Sequence, residues 1–176
     1  LVRTFYSAAC GGHTEPAWEV MQDETERMPP LSGTACEYCQ RRALYKWKEP
    51  VTIPKKEIAE KCLPKDLQNA KILKIEISKT LPGGHAQELS ITFENSSRVV
   101  RLHANNEFRR PLAARFRSTL WDVIEDKGDT FVIYGRGYGH GAGLCQTGAY
   151  EMAKDGKTGS EILEYYFPTA KVRKLY

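Results

Sequence analysis

Four residues near the amino terminus have the types and the spacing of a metal site. They form two pairs, Cys10-Gly-Gly-His13 and Cys36-Glu-Tyr-Cys39, and each pair has two residues between its members. This spacing lets a turn direct both side chains towards one centre, and three thiolates with one imidazole make the closed tetrahedral set of a structural zinc site. The sequence therefore predicts a structural Zn²⁺ ion bound by Cys10, His13, Cys36 and Cys39.

Other interpretations of these cysteines stay open at this stage. They are a Cys36–Cys39 redox pair, a Cys10–Cys36 disulfide in an oxidising compartment, and coincidence. The chain has five cysteines, and this odd number argues against a fully paired disulfide framework. The remaining two, Cys62 and Cys145, are expected to be small packing residues, although Cys145 lies close enough to a glycine-rich segment to be exposed there.

That glycine-rich segment, GRGYGHGAGLCQTGA at residues 135–149, is the second candidate site, and it holds six of the fourteen glycines. From Gly135 to Gly143 glycine takes every second position, so an extended continuation of the preceding strand would have one face without side chains. Arg136, Tyr138 and His140 would lie on the opposite face. The bare face suits either the close approach of an extended ligand or packing against another element of the same protein. The sequence does not decide between the two.

Part of the same segment matches a nucleotide-binding pattern. Residues 137–142 read G-x-G-x-x-A between an expected strand and an expected helix, the context of a dinucleotide fingerprint. That unit needs a second parallel strand after the helix, whereas here a second helix follows directly. The pattern therefore does not predict a dinucleotide site, although an anion could sit at the helix terminus near Leu144.

The elements that must position these residues predict an α+β fold. We expect a mostly antiparallel sheet, a few short helices and a zinc-clipped N-terminal loop region. Strands are expected at about residues 2–9, 72–78, 87–94, 98–103, 118–125, 130–134 and 171–176. Helices are expected at 53–61, from Asn105 or Asn106 to Leu112, and at 144–154 and 160–167. We expect one domain, 1–176, with a cysteine-rich region at 1–53 and a sheet and glycine-rich region at 54–176.

Composition limits the classes of protein to consider. Hydrophobic residues make up 41% and charged residues 27%, which indicates a globular rather than a disordered chain. No apolar run is long enough to span a bilayer. The formal charge of +4 mildly favours anionic partners, but on charge alone an ordinary basic surface is the preferred explanation.

Several stretches together resemble one known family. Residues 135–149 resemble the signature of the SpoIID family, the stage II sporulation protein D and its LytB-like relatives. Residues 7–14, SAACGGHT, resemble the S-x-x-C-G-G-H-T segment of that family. Three further stretches resemble family segments in the right order, namely residues 106–112, 117–120 and 161–168.

The resemblance implies peptidoglycan chemistry outside the cytoplasm. The family includes lytic transglycosylases, in which a carboxylic acid protonates the glycosidic oxygen and then acts as a base, so that the muramyl C6 hydroxyl closes an anhydro ring. It implies peptidoglycan glycan strands, and not nucleic acid, as the partner. By the same resemblance Tyr138 and His140 would line a sugar-binding groove, where His140 would donate a hydrogen bond to sugar or orient the catalytic Glu; a packing role for Tyr138 and a structural imidazole at His140 are the alternatives. Arg136 and Gln146 would contact sugar hydroxyl or acetamido groups, and Arg109 would add charge to the rim of the groove.

One part of the family pattern has no counterpart here. The catalytic Glu of the family lies upstream of the C-G-G-H-T segment, so we expect it before residue 1, in an N-terminal segment that would be a partner of this chain. Glu15, Glu19 and Glu107 are expected to be surface or capping residues. A glycan-binding module without catalysis and a zinc-stabilised interaction domain are therefore the alternatives to an enzyme.

Overall fold

The computed structural model describes residues 3–22 and 26–173. These residues form two compact units. The first, here called the cysteine unit, contains the described residues up to Lys46, then Leu81–Gly83 and the residues from Gly137 onwards. The second, here called the sheet unit, contains Trp47–Thr80 and Gly84–Arg136. The regions expected from the sequence are 1–53 and 54–176, and the described residues from Gly137 onwards belong to the cysteine unit.

Eight strands and four α-helices make up the regular structure of the described residues. The strands are β1 (Tyr6–Ser7), β2 (Val51–Pro54), β3 (Ile72–Thr80), β4 (Ala86–Phe93), β5 (Ser96–His103), β6 (Leu120–Asp126), β7 (Thr130–Arg136) and β8 (Leu144–Cys145). The helices are α1 (Ala17–Met21), α2 (Lys55–Cys62), α3 (Gln146–Lys154) and α4 (Gly159–Tyr166). A π-helical turn covers Ala104–Arg109, and 3₁₀ turns cover Pro29–Leu31, Tyr38–Arg41, Ala43–Tyr45 and Lys65–Leu67.

The sheet unit contains two antiparallel three-stranded sheets, which confirms the α+β prediction. One has the order β2-β7-β6 and the other is the meander β3-β4-β5. In β4 the apolar residues Leu89, Ile91 and Phe93 alternate with less buried ones and join the core. This alternation is the period-two pattern of a strand with one buried face.

The cysteine unit is built around short elements. Its β1 and β8 pair in parallel, with Tyr6 opposite Leu144 and Ser7 opposite Cys145. Helix α4 begins with a capping box, in which Thr158 and Glu161 satisfy each other's backbone N–H groups. The apolar core of this unit contains three of the four cysteines of the N-terminal half, together with Cys145 and the buried ring of Tyr166.

Some element boundaries differ from the sequence predictions. Of the first expected strand, Tyr6–Ser7 forms a strand and Ala9 a separate antiparallel bridge with Tyr138, and Val2 lies outside the described residues. The expected helix at 144–154 begins at Gln146, because Leu144 and Cys145 pair with β1. The last expected strand is not seen over residues 171–173, and residues 174–176 lie outside the described part of the chain.

Within the described residues, every helix is too short or too polar to cross a lipid bilayer.

Candidate metal centre and glycine loop

The four cysteines Cys10, Cys36, Cys39 and Cys145 form a single buried group. Each is fully buried, and their four Sγ atoms lie within 4.8 Å of one another. A tetrahedron with Zn–S bonds of the usual length has S–S edges of about 3.8 Å. The Sγ atoms of Cys10 and Cys39 are 3.6 Å apart, which is close to that edge. All five cysteines are free thiols in the structure, so the cluster is not a pair of disulfides and could hold a metal ion.

Three separate segments bring these sulfur atoms together. Cys10 follows β1, directly before the turn at Gly11 and Gly12, and the backbone N–H of Cys36 donates to the carbonyl oxygen of Gly12 at 2.8 Å. Cys39 lies three residues later, in a 3₁₀ turn. Cys145 ends β8, and the β1–β8 pairing carries it to the same place. The cluster therefore ties the N-terminal loop to the end of the glycine-rich segment.

Polar groups around the cluster suit sulfur that carries negative charge. The backbone N–H groups of Cys10 and Gly148 donate to Sγ of Cys145 at 3.3 and 3.4 Å. The hydroxyl of Tyr166 lies 3.0 Å from Sγ of Cys36. Hydrogen bonding with Cys145 and the other two cysteines, together with burial, raises the pKa of Cys10 far above its ordinary value. A cation among the sulfurs would offset the cost of holding thiolates in an apolar core, and the outer N–H donors would orient them.

The cysteine cluster and the predicted ligand set differ at a single position. The structure places Cys145 in the cluster and leaves out His13, because the turn at Gly11 and Gly12 carries the chain on to pair His13 with Ala35. The imidazole packs against the backbone of Gly83, and its buried Nδ1 has no hydrogen-bond partner among the described residues. Cys145 was one of the two cysteines that the sequence left unassigned, and nothing in its local spacing links it to Cys10.

The fifth cysteine lies in the other unit. Cys62 ends α2 in the sheet unit and packs against its apolar core, as expected for a small packing residue. Burial raises the pKa of its thiol to about 12.

The glycine-rich segment is a loop and not a continued strand. Strand β7 ends at Arg136, and the next four alternate glycines all have positive φ, with values of +77°, +110°, +83° and +72° at Gly137, Gly139, Gly141 and Gly143. The expected extended ribbon with one bare face is therefore wrong. Residues with side chains rarely adopt these φ values, so glycine at every second position is required by the backbone itself.

The glycines also touch the N-terminal segment of the same chain. A methyl group added to Gly137 would lie 3.1 Å from the carbonyl oxygen of Ala9, and one added to Gly139 would lie 3.3 Å from the side chain of Ser7. Ala9 and Tyr138 exchange two backbone hydrogen bonds of 2.9 and 2.6 Å. Of the two alternatives left open by the sequence, the structure shows packing within the chain for these glycines.

The side chains between the glycines are accessible to different degrees. Tyr138 is 44% exposed. His140 is partly buried, and its Nδ1 accepts the backbone N–H of Ala142 at 3.1 Å and lies 3.3 Å from the hydroxyl of Ser7. That hydroxyl accepts the N–H of Gly141 at 2.8 Å. Because Nδ1 is an acceptor, a neutral His140 carries its proton on Nε2.

The remaining predicted contact residues fall in both units. Gln146 is exposed at the start of α3 in the cysteine unit, with Tyr138 and His140. Arg136 and Arg109 belong to the sheet unit. There Arg136 pairs with the carboxylate of Asp122, and Arg109 donates from Nε to Oδ1 of Asn105 at 2.9 Å.

The three acidic residues considered from the sequence have structural partners. Glu15 is fully buried, which corrects its expected surface position, and its carboxylate accepts the N–H of Gly83 at 3.0 Å. Glu107 accepts the N–H of His103 at 2.6 Å and so caps the π-helical turn, as expected. Glu19 lies 3.6 Å from the guanidinium of Arg27.

Comparisons with known proteins give one family and three relatives. A protein from Brachyspira hyodysenteriae described as uncharacterized is 32% identical over 172 residues, which cover 95% of this chain and 42% of that protein. Stage II sporulation protein D of Bacillus subtilis is 47% identical over 45 residues, covering 26% of this chain and 13% of that protein. The amidase enhancer of Bacillus subtilis is 37% identical over 76 residues, covering 42% of this chain and 11% of that protein.

The chain thus spans less than half the length of each of these relatives. The two partial matches to Bacillus subtilis proteins support a relationship to stage II sporulation protein D. A family model described as a domain of unknown function, DUF8618, matches residues 21–143, which is more than half of the chain. The chain therefore belongs to the DUF8618 family.

Proposed function

We propose that this chain is a cell-wall domain that binds the glycan strands of peptidoglycan outside the cytoplasm and takes part in their cleavage by a lytic transglycosylase. The observation that carries the proposal is the glycine loop, which presents an exposed phenol at Tyr138 and, two residues later, the imidazole of His140, whose Nδ1 accepts the backbone N–H of Ala142. The partial similarity to stage II sporulation protein D supports it.

The side chains of the loop, and not the bare backbone of its glycines, would contact the sugar. An exposed aromatic ring can stack on the apolar face of a pyranose, and Tyr138 adds a hydroxyl for hydrogen bonding. The protonated Nε2 of His140 is a donor suited to a sugar hydroxyl or a glycosidic oxygen. Gln146 offers both an amide donor and an acceptor for acetamido groups.

The metal in this proposal is zinc, and its role is structural. Four thiolates are the donor set of closed zinc sites, which leave no position for substrate. Zinc would hold the N-terminal loop and Cys145 together and so fix the carboxyl end of the segment that carries Tyr138 and His140. The protein would then contain about one zinc ion per chain, and chelation would unfold the cysteine unit.

Cleavage itself needs a carboxylic acid that reaches the glycosidic oxygen. The carboxylates of Glu15 and Glu107 accept hydrogen bonds from backbone N–H groups, so neither residue is proposed as that acid. The proposed binding of glycan strands therefore does not depend on an acid catalyst within the described residues.

A pull-down on purified sacculi tests the binding role. We expect Tyr138→Ala and His140→Ala each to reduce the bound fraction about tenfold, the effect of losing one good stacking or hydrogen-bond contact. Tyr134→Ala is the matched control, because Tyr134 is 40% exposed on β7 and belongs to the sheet unit. Binding that is unchanged in both loop variants, or equally reduced in the control, would contradict the proposal.

Cleavage is tested with peptide-free glycan strands and mass spectrometry of the products. The expected product carries 1,6-anhydro-muramyl ends when the acid is present. Strands that stay intact with the full-length protein would remove the enzymatic part and leave the binding module.

A further inference from the structure

The hydroxyl group of Tyr166, near the end of α4, contacts the cysteine cluster at Cys36. Tyr166 is 1% exposed, and its hydroxyl oxygen lies 3.0 Å from Sγ of Cys36. A metal-bound cysteine is a thiolate and has no proton to give, so the phenol is the donor of this hydrogen bond when the cluster holds a metal ion. Such a bond is charge-assisted, and it lies in an apolar core where an unpaired charge is costly.

A glycine of α3 leaves the space that this hydroxyl group occupies. A methyl group added to Gly148 would overlap the hydroxyl oxygen of Tyr166 and would lie 2.7 Å from Sγ of Cys36. Gly148 lies inside α3 and does not have a positive φ, and glycine is less favourable than alanine at such a position. The contact between the hydroxyl group and the sulfur therefore explains this glycine, whereas the helical backbone does not.

The preceding residue of α4 contacts the same part of the chain at a carbonyl oxygen. The hydroxyl group of Tyr165 donates to the carbonyl oxygen of Ala35 at 2.8 Å, and its ring meets the ring of Tyr38 edge-on. Helix α4 thus contacts residues 35 and 36 through two adjacent phenols, one at a carbonyl oxygen and the other at a sulfur atom.

We infer that Tyr166 is a positioning residue of the metal centre. Its hydroxyl group donates to the Cys36 thiolate, withdraws part of the negative charge of that sulfur and fixes its orientation in the cluster. Hydrogen-bond donors outside the ligands are known to tune metal affinity in this way. The inference rests on the structural zinc of the proposed function, and it makes α4 a part of the metal centre.

Cobalt(II) is the probe of this hydrogen bond, because it accepts tetrahedral thiolate ligands and its sulfur-to-metal charge-transfer absorption depends on the electron density at sulfur. The test compares the whole chain with Tyr166→Phe, by the absorption spectrum with cobalt and by competition for zinc against a chromophoric chelator. Without the donor the sulfur electrons are held less tightly, so we expect the charge-transfer band of Tyr166→Phe to move to longer wavelength. We also expect zinc to bind about 10- to 100-fold more weakly.

Tyr165→Phe is the matched control. It removes a hydroxyl group from the same helix but leaves the contact with Cys36 in place. We expect its charge-transfer band to coincide with that of the wild type and its zinc affinity to stay within about threefold. A general loss of packing in α4 would lower the thermal stability of both variants without moving the band.

The wild type decides the question if Tyr166→Phe does not fold. With spin-active cadmium in place of zinc, the hydroxyl proton of Tyr166 should exchange slowly with water and show scalar coupling to the metal across the hydrogen bond to Cys36. A hydroxyl proton that exchanges rapidly, or one without this coupling, would overturn the inference.

The results also separate this inference from the proposed function. An unshifted band in Tyr166→Phe, or an equal shift in Tyr165→Phe, overturns the role of Tyr166 even if the wild type binds zinc and sacculi. The expected differences in a protein that does not bind sacculi support the role of Tyr166 and remove the glycan-binding proposal. A wild type that binds neither zinc nor cobalt removes the structural metal and the role of Tyr166 together.

Discussion

The sharpest prediction concerns which side chain is the fourth metal ligand. Replacing Cys145 by Ser removes a sulfur that is fully buried in the cluster and that accepts backbone N–H groups from Cys10 and Gly148. A serine hydroxyl stays protonated at neutral pH and is a poor zinc ligand. By contrast, His13→Ala removes an imidazole that lies outside the cluster.

The expected loss of zinc affinity in Cys145→Ser follows from the loss of a direct ligand. Loss of an outer hydrogen-bond partner of a ligand costs about 10- to 100-fold in metal affinity, so loss of the ligand itself should cost about 100-fold or more. If zinc binds only the folded state, a 100-fold change in dissociation constant is worth about 2.7 kcal/mol of stability. In a chain of this size that lowers the melting temperature by roughly 5–10 °C.

The assay is zinc competition against a chromophoric chelator, with elemental analysis and thermal unfolding at a fixed free zinc concentration. We expect Cys145→Ser to bind zinc about 100-fold more weakly and His13→Ala to stay within about threefold of the wild type. Full affinity in Cys145→Ser together with loss of zinc in His13→Ala would refute the reasoning and restore the set with His13.

Two further predictions test the loop and the fifth cysteine. Gly143→Ala should destabilise the protein by about 2 kcal/mol or more in urea unfolding, because its methyl group would meet the backbone of Phe5 at a φ of +72°. Gly156→Ala has a similar φ of +85° but open space, so it should cost only about 1 kcal/mol, and equal costs would show that the contact with Phe5 is unimportant. At pH 8 iodoacetamide should alkylate Cys62 roughly a thousandfold more slowly than an ordinary thiol, because a pKa raised from 9.0 to about 12 leaves little thiolate, and the rate should rise as the pH approaches 12. Modification of Cys62 within minutes at pH 8 would contradict its burial.

The sequence pattern predicted the structural features that depend only on residues close together in the chain. The alternation of apolar residues in β3 and β4, with turn residues between the strands, predicted the meander, and Pro54 and Gly156 lie at the boundaries of helices that were expected. The spacing of Cys36 and Cys39 likewise predicted that both would face one centre. These features depend on residues a few positions apart, so the sequence displays them directly.

The sequence by itself thus determined the α+β class, three of the four clustered cysteines and a special backbone at residues 135–149. Tertiary structure decided that Cys145 and not His13 joins them, because the parallel pairing of β1 with β8 brings together residues that are far apart in the chain. Tertiary structure also decided that these glycines adopt positive φ angles and contact Ser7 and Ala9 of the same chain. The sequence could not show this, because the same pattern of glycines results whether a ligand or the chain itself fills the space beside them.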